Sequence, residues 1–179
     1  HLKRFNGLIS TIDTAGTAVA ATQQASISTS TVRGIIEEIA FSKIPSRIRS
    51  KNPVIVCGQD TFNIYRLKLM QDNLYSYNPS NDNLNSYEMM VFGTNVKLIG
   101  LAGLNNDNAV DTGSLPTAVK NRIFATYEDN LVVGMNAAND INDFDVWYSK
   151  DDRLLKFMMR FYIGVGVKYP DLVVQYTNS

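Results

Sequence analysis

Histidine is almost missing from this chain: of 179 residues the single imidazole is His1, at the first position. No internal histidine is left for a Ser-His-Asp or Cys-His arrangement, which removes the commonest nucleophilic mechanisms. Cysteine is as scarce. Cys57 stands alone, so no internal disulfide forms and no second thiol lies at metal-ligand spacing. It follows Val54, Ile55 and Val56, where a free thiol packs as a small hydrophobe with no basic neighbour to lower its pKa. A charge excess is missing too, since 17 Lys plus Arg against 17 Asp plus Glu give a formal net charge of zero. Nothing in that balance advertises nucleic acid, an acidic membrane or a polyanionic substrate. No apolar run approaches the ~18 residues that cross a bilayer, and no apolar signal-like core follows the basic residues at the start.

The remaining motifs for chemistry are equally thin. Gly164 and Gly166 sit inside an alternating run rather than between a strand and a helix, and a third glycine is absent, so they make no dinucleotide loop. Asp140, Asp143 and Asp145 bring carboxylates together beside Asn139 and Asn142, but their spacing fits no EF-hand and suits a solvated turn. Arg33 lies one helical turn before Glu37, an ordinary surface ion pair. No two carboxylates are spaced to suggest acid–base catalysis. The expectation is a protein that is not an enzyme and holds no metal or cofactor.

What the chain has is an uninterrupted period-two alternation over residues 155–169. Leu155, Phe157, Met159, Phe161, Ile163, Val165, Val167 and Tyr169 fall on one side; Lys156, Met158, Arg160, Tyr162, Gly164, Gly166 and Lys168 fall on the other. That pattern predicts a β-strand about 50 Å long with its odd-numbered face in the core, Phe161 among the buried residues. Gly164 and Gly166 would let a backbone or a neighbouring subunit come close.

Elsewhere, residues 10–31 are small and polar, with Asp13 the one charge, and read as an extended connector. A first helix is predicted from Val32 through Ile35, Ile36 and Ile39, with N-cap candidates at 28–31 and an exit at Pro45. A buried strand over 53–57, a turn at Gly58 and a second helix capped by Asp60 or Thr61 follow, with Phe62, Tyr65, Leu69 and Met70 at helical spacing. Two long loops, 71–88 and 102–119, interrupt the regular structure, and ordered loops of that length are commonly functional. Short strands are predicted near 89–91, 95–101, 122–126, 131–133, 144–147 and 172–176, an α+β chain with two helices and about seven strands. Tyr65, Tyr75, Tyr77 and Tyr87 gather around the first loop, which carries no basic residue between Gln71 and Glu88. They either anchor the loop on its own domain or offer a partner surface, without the cations that nucleic-acid stacking uses.

Taken in order, several segments resemble the major capsid proteins of tailed bacteriophages, the Hong-Kong-97-type shell fold shared with encapsulin nanocompartments. They are Arg4-Phe5-Asn6-Gly7-Leu8-Ile9, Asn52-Pro53-Val54-Ile55-Val56-Cys57 and Gly93-Thr94-Asn95-Val96-Lys97-Leu98. The closing ones are Ile123-Phe124-Ala125-Thr126, Asn130-Leu131-Val132-Val133-Gly134, the run 157–169, and Pro170-Asp171-Leu172-Val173-Val174. The resemblance implies a mixed or antiparallel sheet with flanking helices and a long C-terminal strand. It implies an axial domain over 24–150, with peripheral-domain strands and connector in 1–23 and 151–179. The N-terminal arm, extended loop and spine helix of that family would precede His1, so a fragment is expected, monomeric or weakly associated by itself.

The implied function is mechanical: copies of one subunit tile an icosahedral shell in the virion, made in a bacterial host cytoplasm and enclosing a phage or prophage genome. Its partners would be copies of itself and portal, scaffold or decoration proteins. Tyr75, Tyr77, Tyr87, Asn106 and Asp107 are candidate interface residues in the two loops, and Gly7, Phe161, Gly164 and Gly166 candidate structural ones. The alternatives are an encapsulin-like compartment shell, or an oligomeric binding module that uses the tyrosine-rich loop 71–88.

Overall fold

The structure is a computed structural model and describes residues 7–14, 19–20, 27–74, 87–105, 122–135, 144–159 and 163–176. In chain order these form α1 (Leu8–Thr14), β1 (Val19–Ala20), α2 (Val32–Glu38), α3 (Ser46–Arg49), β2 (Val54–Gly58) and α4 (Gln59–Gln71). They continue with β3 (Glu88–Met90), β4 (Lys97–Leu101), β5 (Ile123–Thr126), β6 (Leu131–Met135), β7 (Phe144–Ser149), β8 (Leu154–Met159), β9 (Ile163–Val167) and β10 (Val174–Tyr176). The chain is α+β, as the sequence predicts, with more and shorter elements.

A six-stranded mixed sheet in the order β1-β10-β5-β2-β4-β3 forms the body. Its centre is β2, parallel to β4 through Ile55↔Leu98 and Cys57↔Gly100, and antiparallel to β5 through Ile55↔Ala125 and Val56↔Phe124. Successive strand residues point to opposite faces, and that period sorts the core in two. Ile55, Cys57, Leu98, Ile123, Ala125, Val174 and Tyr176 face the larger cluster, where Phe62, Tyr65 and Leu69 of α4 and Val32, Ile35 and Ile36 of α2 cover them. Phe124 and Val173 face the other way and meet Ile12 of α1 and Leu104, with Val56, Leu131 and Val167 around them. Strands β1 and β10, from opposite ends of the chain, pair with each other in the same sheet as β2 to β5.

Three local features depart from the expected ones. Residues 10–14, read as the start of a connector, belong to α1, because Leu8, Ile9 and Ile12 share a helical face that the neighbouring Ser10, Thr11 and Thr14 disguise. The first helix widens into a π-helical turn, Ile39–Lys43, closed by the Ile44 N–H donating to the Ile39 carbonyl at 3.1 Å. Pro45 ends it as expected, and a short α3 follows. Helix α4 begins at Gln59 rather than after Asp60, and its first N–H groups find their acceptor far away in sequence. Asn105 Oδ1 accepts from the Gln59 N–H at 2.6 Å and from the Asp60 N–H at 3.3 Å, a cap supplied across the fold. Gly58 makes room for that closure, since a Cβ there would lie 2.7 Å from the Leu104 carbonyl oxygen and nearer still to Asp60 Oδ1.

Cys57 is fully buried, as its strand context predicts. Desolvation, with the Asp60 charge adding to it, pushes its thiol up to about 12, and burial likewise raises the Tyr65 phenol. Both groups keep their protons longer folded than unfolded, so the stability they carry is complete below about pH 9 and declines as pH climbs toward the raised values. Native thiol labelling should therefore be slow. Denaturant melts should lose up to ~1.4 kcal/mol per pH unit from Cys57 between about pH 9 and 12, and Cys57→Ala should remove that part of the slope. Fast stoichiometric labelling, or an unchanged slope in the variant, would contradict the burial.

Candidate subunit interface

Of the long strand expected over residues 155–169, the described residues form β8 and β9. β8 pairs with β7 and β9 with β6, in separate two-stranded sheets. Phe161 lies outside the described residues. The two pairings are nested: Leu131↔Val167 through Met135↔Ile163 encloses Phe144↔Met159 through Ser149↔Leu154. Strands β6 to β9 therefore nest as one hairpin that leaves the body after β5 and returns to it at β10.

Asn130 roots this hairpin. Its side chain is fully buried, and Nδ2 donates to Thr126 Oγ1 at 2.9 Å and to the Tyr169 carbonyl at 3.0 Å. Oδ1 accepts from the Tyr169 N–H at 2.8 Å, and the Asn130 carbonyl accepts from the Lys168 N–H at 3.0 Å. Two 3-10 turns, Glu128–Asn130 on the way out and Pro170–Leu172 on the way back, are thereby tied together where both strands cross from sheet to hairpin.

Beyond the root, the apolar alternation is real but its cover is not where the sequence placed it. Residues opposite each other in an antiparallel pair share a face, so Val146, Tyr148, Leu155 and Phe157 form one face of the β7–β8 ribbon. They are 49%, 58%, 69% and 74% exposed. The odd-numbered face expected in the core is thus open to solvent at Leu155 and Phe157, because a two-stranded ribbon has no second layer of its own here. The opposite face mixes Trp147, Leu154 and Met158 with Asp145 and Lys156. At the tip, Asp152 pairs with Lys156 and with Ser149 Oγ at 3.0 Å, and these bonds hold its carboxyl below the usual range. Arg153 adopts φ 55° in the same turn.

The expected site residues are scattered relative to this surface. Tyr87 packs edge-on against Phe62, ring centroids 5.7 Å apart, so that residue anchors its segment to the core. Tyr65 is buried and its hydroxyl accepts the Phe92 N–H at 3.3 Å. Tyr75, Tyr77, Asn106 and Asp107 lie outside the described residues. Gly7 is exposed at the start of α1, where its carbonyl accepts the Thr11 N–H at 3.0 Å. A Cβ on Gly164 or Gly166 would meet nothing within 4 Å, so within this chain no backbone crowds either position. Sequence reasoning missed Asn130 as a clamp and Asn105 as a cap. Each is an asparagine beside a turn, a signal too common to single either one out.

A second surface feature is an open groove of ≈ 490 Å³ between the π-helical turn and the β3–β4 connection, lined by Phe41, Arg49 and Gly93 to Val96. Arg49 is committed there to backbone carbonyls, Ile44 at 3.2 Å and Phe41 closer. Among the described residues no group of three His, Cys, Asp or Glu side chains is placed to hold a metal ion, and no helix is long and apolar enough to cross a membrane.

No protein-family model matches this chain, and no curated protein does. Among solved structures it is similar to the SrpI encapsulin of Synechococcus elongatus, seen in a holo complex, with a TM-score of 0.49 and 11% identity. The match covers 91% of this chain and 53% of that one, so the chain spans about half the length of the structure it matches.

The Asn130 clamp gives a direct test. Asn130→Ala takes the acceptor from the Tyr169 N–H and one of two partners from the Tyr169 carbonyl and the Thr126 hydroxyl, which keep the Leu172 N–H and carbonyl, and should cost ~1–3 kcal/mol in a denaturant melt. Asp129→Ala, exposed in the same turn, should stay within ~0.5 kcal/mol. Equal losses would mean that the turn, not the clamp, carries the stability.

Proposed function

We propose that this chain is a structural, non-catalytic subunit that assembles with copies of itself into a closed shell, and specifically a phage or prophage major capsid protein enclosing the genome. The observation that carries the reading is the hairpin of β6 to β9, rooted by a buried clamp and bearing on its β7–β8 ribbon an uncharged, largely apolar face open to solvent at Val146, Tyr148, Leu155 and Phe157. Contiguous apolar surface of this kind on a folded chain marks an interaction site. A surface built for self-association also suits zero net charge, because copies approach without mutual repulsion. The ordered run of capsid-like segments, several of which fall on β2, β4, β5, β6, β9 and β10, supports the same reading. An encapsulin-like compartment would use the same tiling and differ in what it encloses.

The test is electron microscopy of particles isolated from cells expressing the complete reading frame that carries this sequence, together with analysis of their contents in the native source. Closed shells holding nuclease-protected DNA are expected. Shells filled with protein and free of nucleic acid would replace the capsid reading by the compartment reading. A small soluble species with no particles at any concentration would sink both and leave the binding module.

A further inference from the structure

We infer that the apolar face of the β7–β8 ribbon packs against the same face of a second copy, about a two-fold axis lying between the two ribbons. The inference deepens the shell reading and rests on it for the identity of the partner.

Across the ribbon Val146 stands opposite Phe157, and Tyr148 opposite Leu155. The aliphatic side chains therefore occupy one diagonal of the patch and the aromatic ones the other. When two such faces are stacked by a two-fold axis parallel to the strands, Val146 of one copy lies over Phe157 of the next, and Tyr148 over Leu155. When the axis runs across the strands instead, Val146 lies over Tyr148 and Leu155 over Phe157. Either way every aromatic ring meets an aliphatic side chain, so small faces large throughout and the two layers interdigitate at the usual sheet-to-sheet spacing of about 10 Å. A patch whose diagonals were mixed would set ring on ring in one of these arrangements.

Two further observations favour self-pairing over a foreign partner. The face carries no charged side chain and a single polar tip, the Tyr148 hydroxyl, so it offers nothing to select a charged ligand or peptide. Its area sets the strength. With these exposures the four side chains present on the order of 400–500 Å², so a pair buries about 900 Å². That is below the ~1,200 Å² at which isolated complexes become stable. The contact is therefore weak alone and suited to an assembly in which many copies repeat it.

Sedimentation of residues 1–179 over a range of concentrations reads the associated fraction. The wild type should self-associate weakly, and Leu155→Glu should weaken that association by about tenfold or more, whereas Trp147→Glu on the opposite face should leave it unchanged. Mixing Leu155→Glu with Leu155→Lys should restore association, since either axis sets the two 155 positions about 5–7 Å apart laterally, one strand spacing or one side-chain repeat, within reach of the two long charged side chains. A wild type that stays monomeric throughout, equal effects of Leu155→Glu and Trp147→Glu, or no rescue on mixing would each overturn the inference.

Circular dichroism confirms folding. If the first pair does not fold, Val146→Glu and Val146→Lys take its place; failure of both pairs would contradict the exposed placement of this face and overturn the inference as well. Shell formation is scored separately by microscopy, so ribbon pairing without shells refutes the shell reading alone, and shells that survive Leu155→Glu intact refute the pairing alone.

Discussion

The buried amide of Asn130 is the constraint on which the architecture turns. The chain leaves the central sheet at the end of β5 and re-enters it at β10, and between those points it makes a hairpin whose described residues in β7 and β8 belong to neither core cluster. Such an excursion keeps a defined exit only if its two ends are fixed to each other. Asn130 does this with both functions of its side chain, donating to the Tyr169 carbonyl and accepting from the Tyr169 N–H. A buried amide satisfied in this way specifies one arrangement of the two turns, because any slip leaves polar groups unpaired in a dry site. Leu131 and Val167, paired at the base of the hairpin, then rest against the cluster of Ile12, Leu104, Phe124 and Val173.

Stability is consequently graded along the molecule. Strand β2 is covered on both sheet faces and flanked by β4 and β5, and α4 is tied to α2 by Asp72, which accepts from Lys68 and Arg33, each at 2.8 Å. Those bonds hold the Asp72 carboxyl below its ordinary range, although their exposure makes them minor contributors. The β7–β8 ribbon has by contrast its ladder, its cross-strand pairs and a four-residue turn. An isolated two-stranded hairpin is marginal in water, so on the proposed reading this segment gains its full order from the neighbour that covers it. Low local stability at an interaction element is the usual division of labour.

Much of the body was legible in the sequence because its signals are local. The apolar run before Cys57, the helical spacing of Phe62, Tyr65 and Leu69, and Pro45 as a stop all read correctly within a few residues. Most of the misses share a cause: they depend on what lies across space. Period two announces that Leu155 and Phe157 belong to one face and is silent about what covers it. Nothing within ten residues of Gln59 reveals that Asn105 caps it. Helix α1 stayed hidden because three apolar residues among serine and threonine fall below the contrast that a periodicity argument needs. Asn130 was visible as part of a capsid-like segment, but its role appears once the turn before Pro170 is seen beside it.

On the proposed pairing, the weakness of the ribbon contact follows from the same geometry and bears on what a shell assembly would require. A closed shell is built from identical subunits that adopt neighbours at several slightly different angles, and each contact must form and break while errors are corrected. A large, dry, highly specific two-fold interface would trap pairs before the lattice closed. Four side chains on a narrow ribbon bury too little to do that, but repeated around a shell they act in concert, since each contact made raises the effective concentration for the next. The uncharged face would also tolerate small rotations, because apolar packing is not directional in the way that hydrogen bonds are. Precision is left to the root, where Asn130 fixes the departure of the arm, and adaptability to the far end, where the contact is greasy.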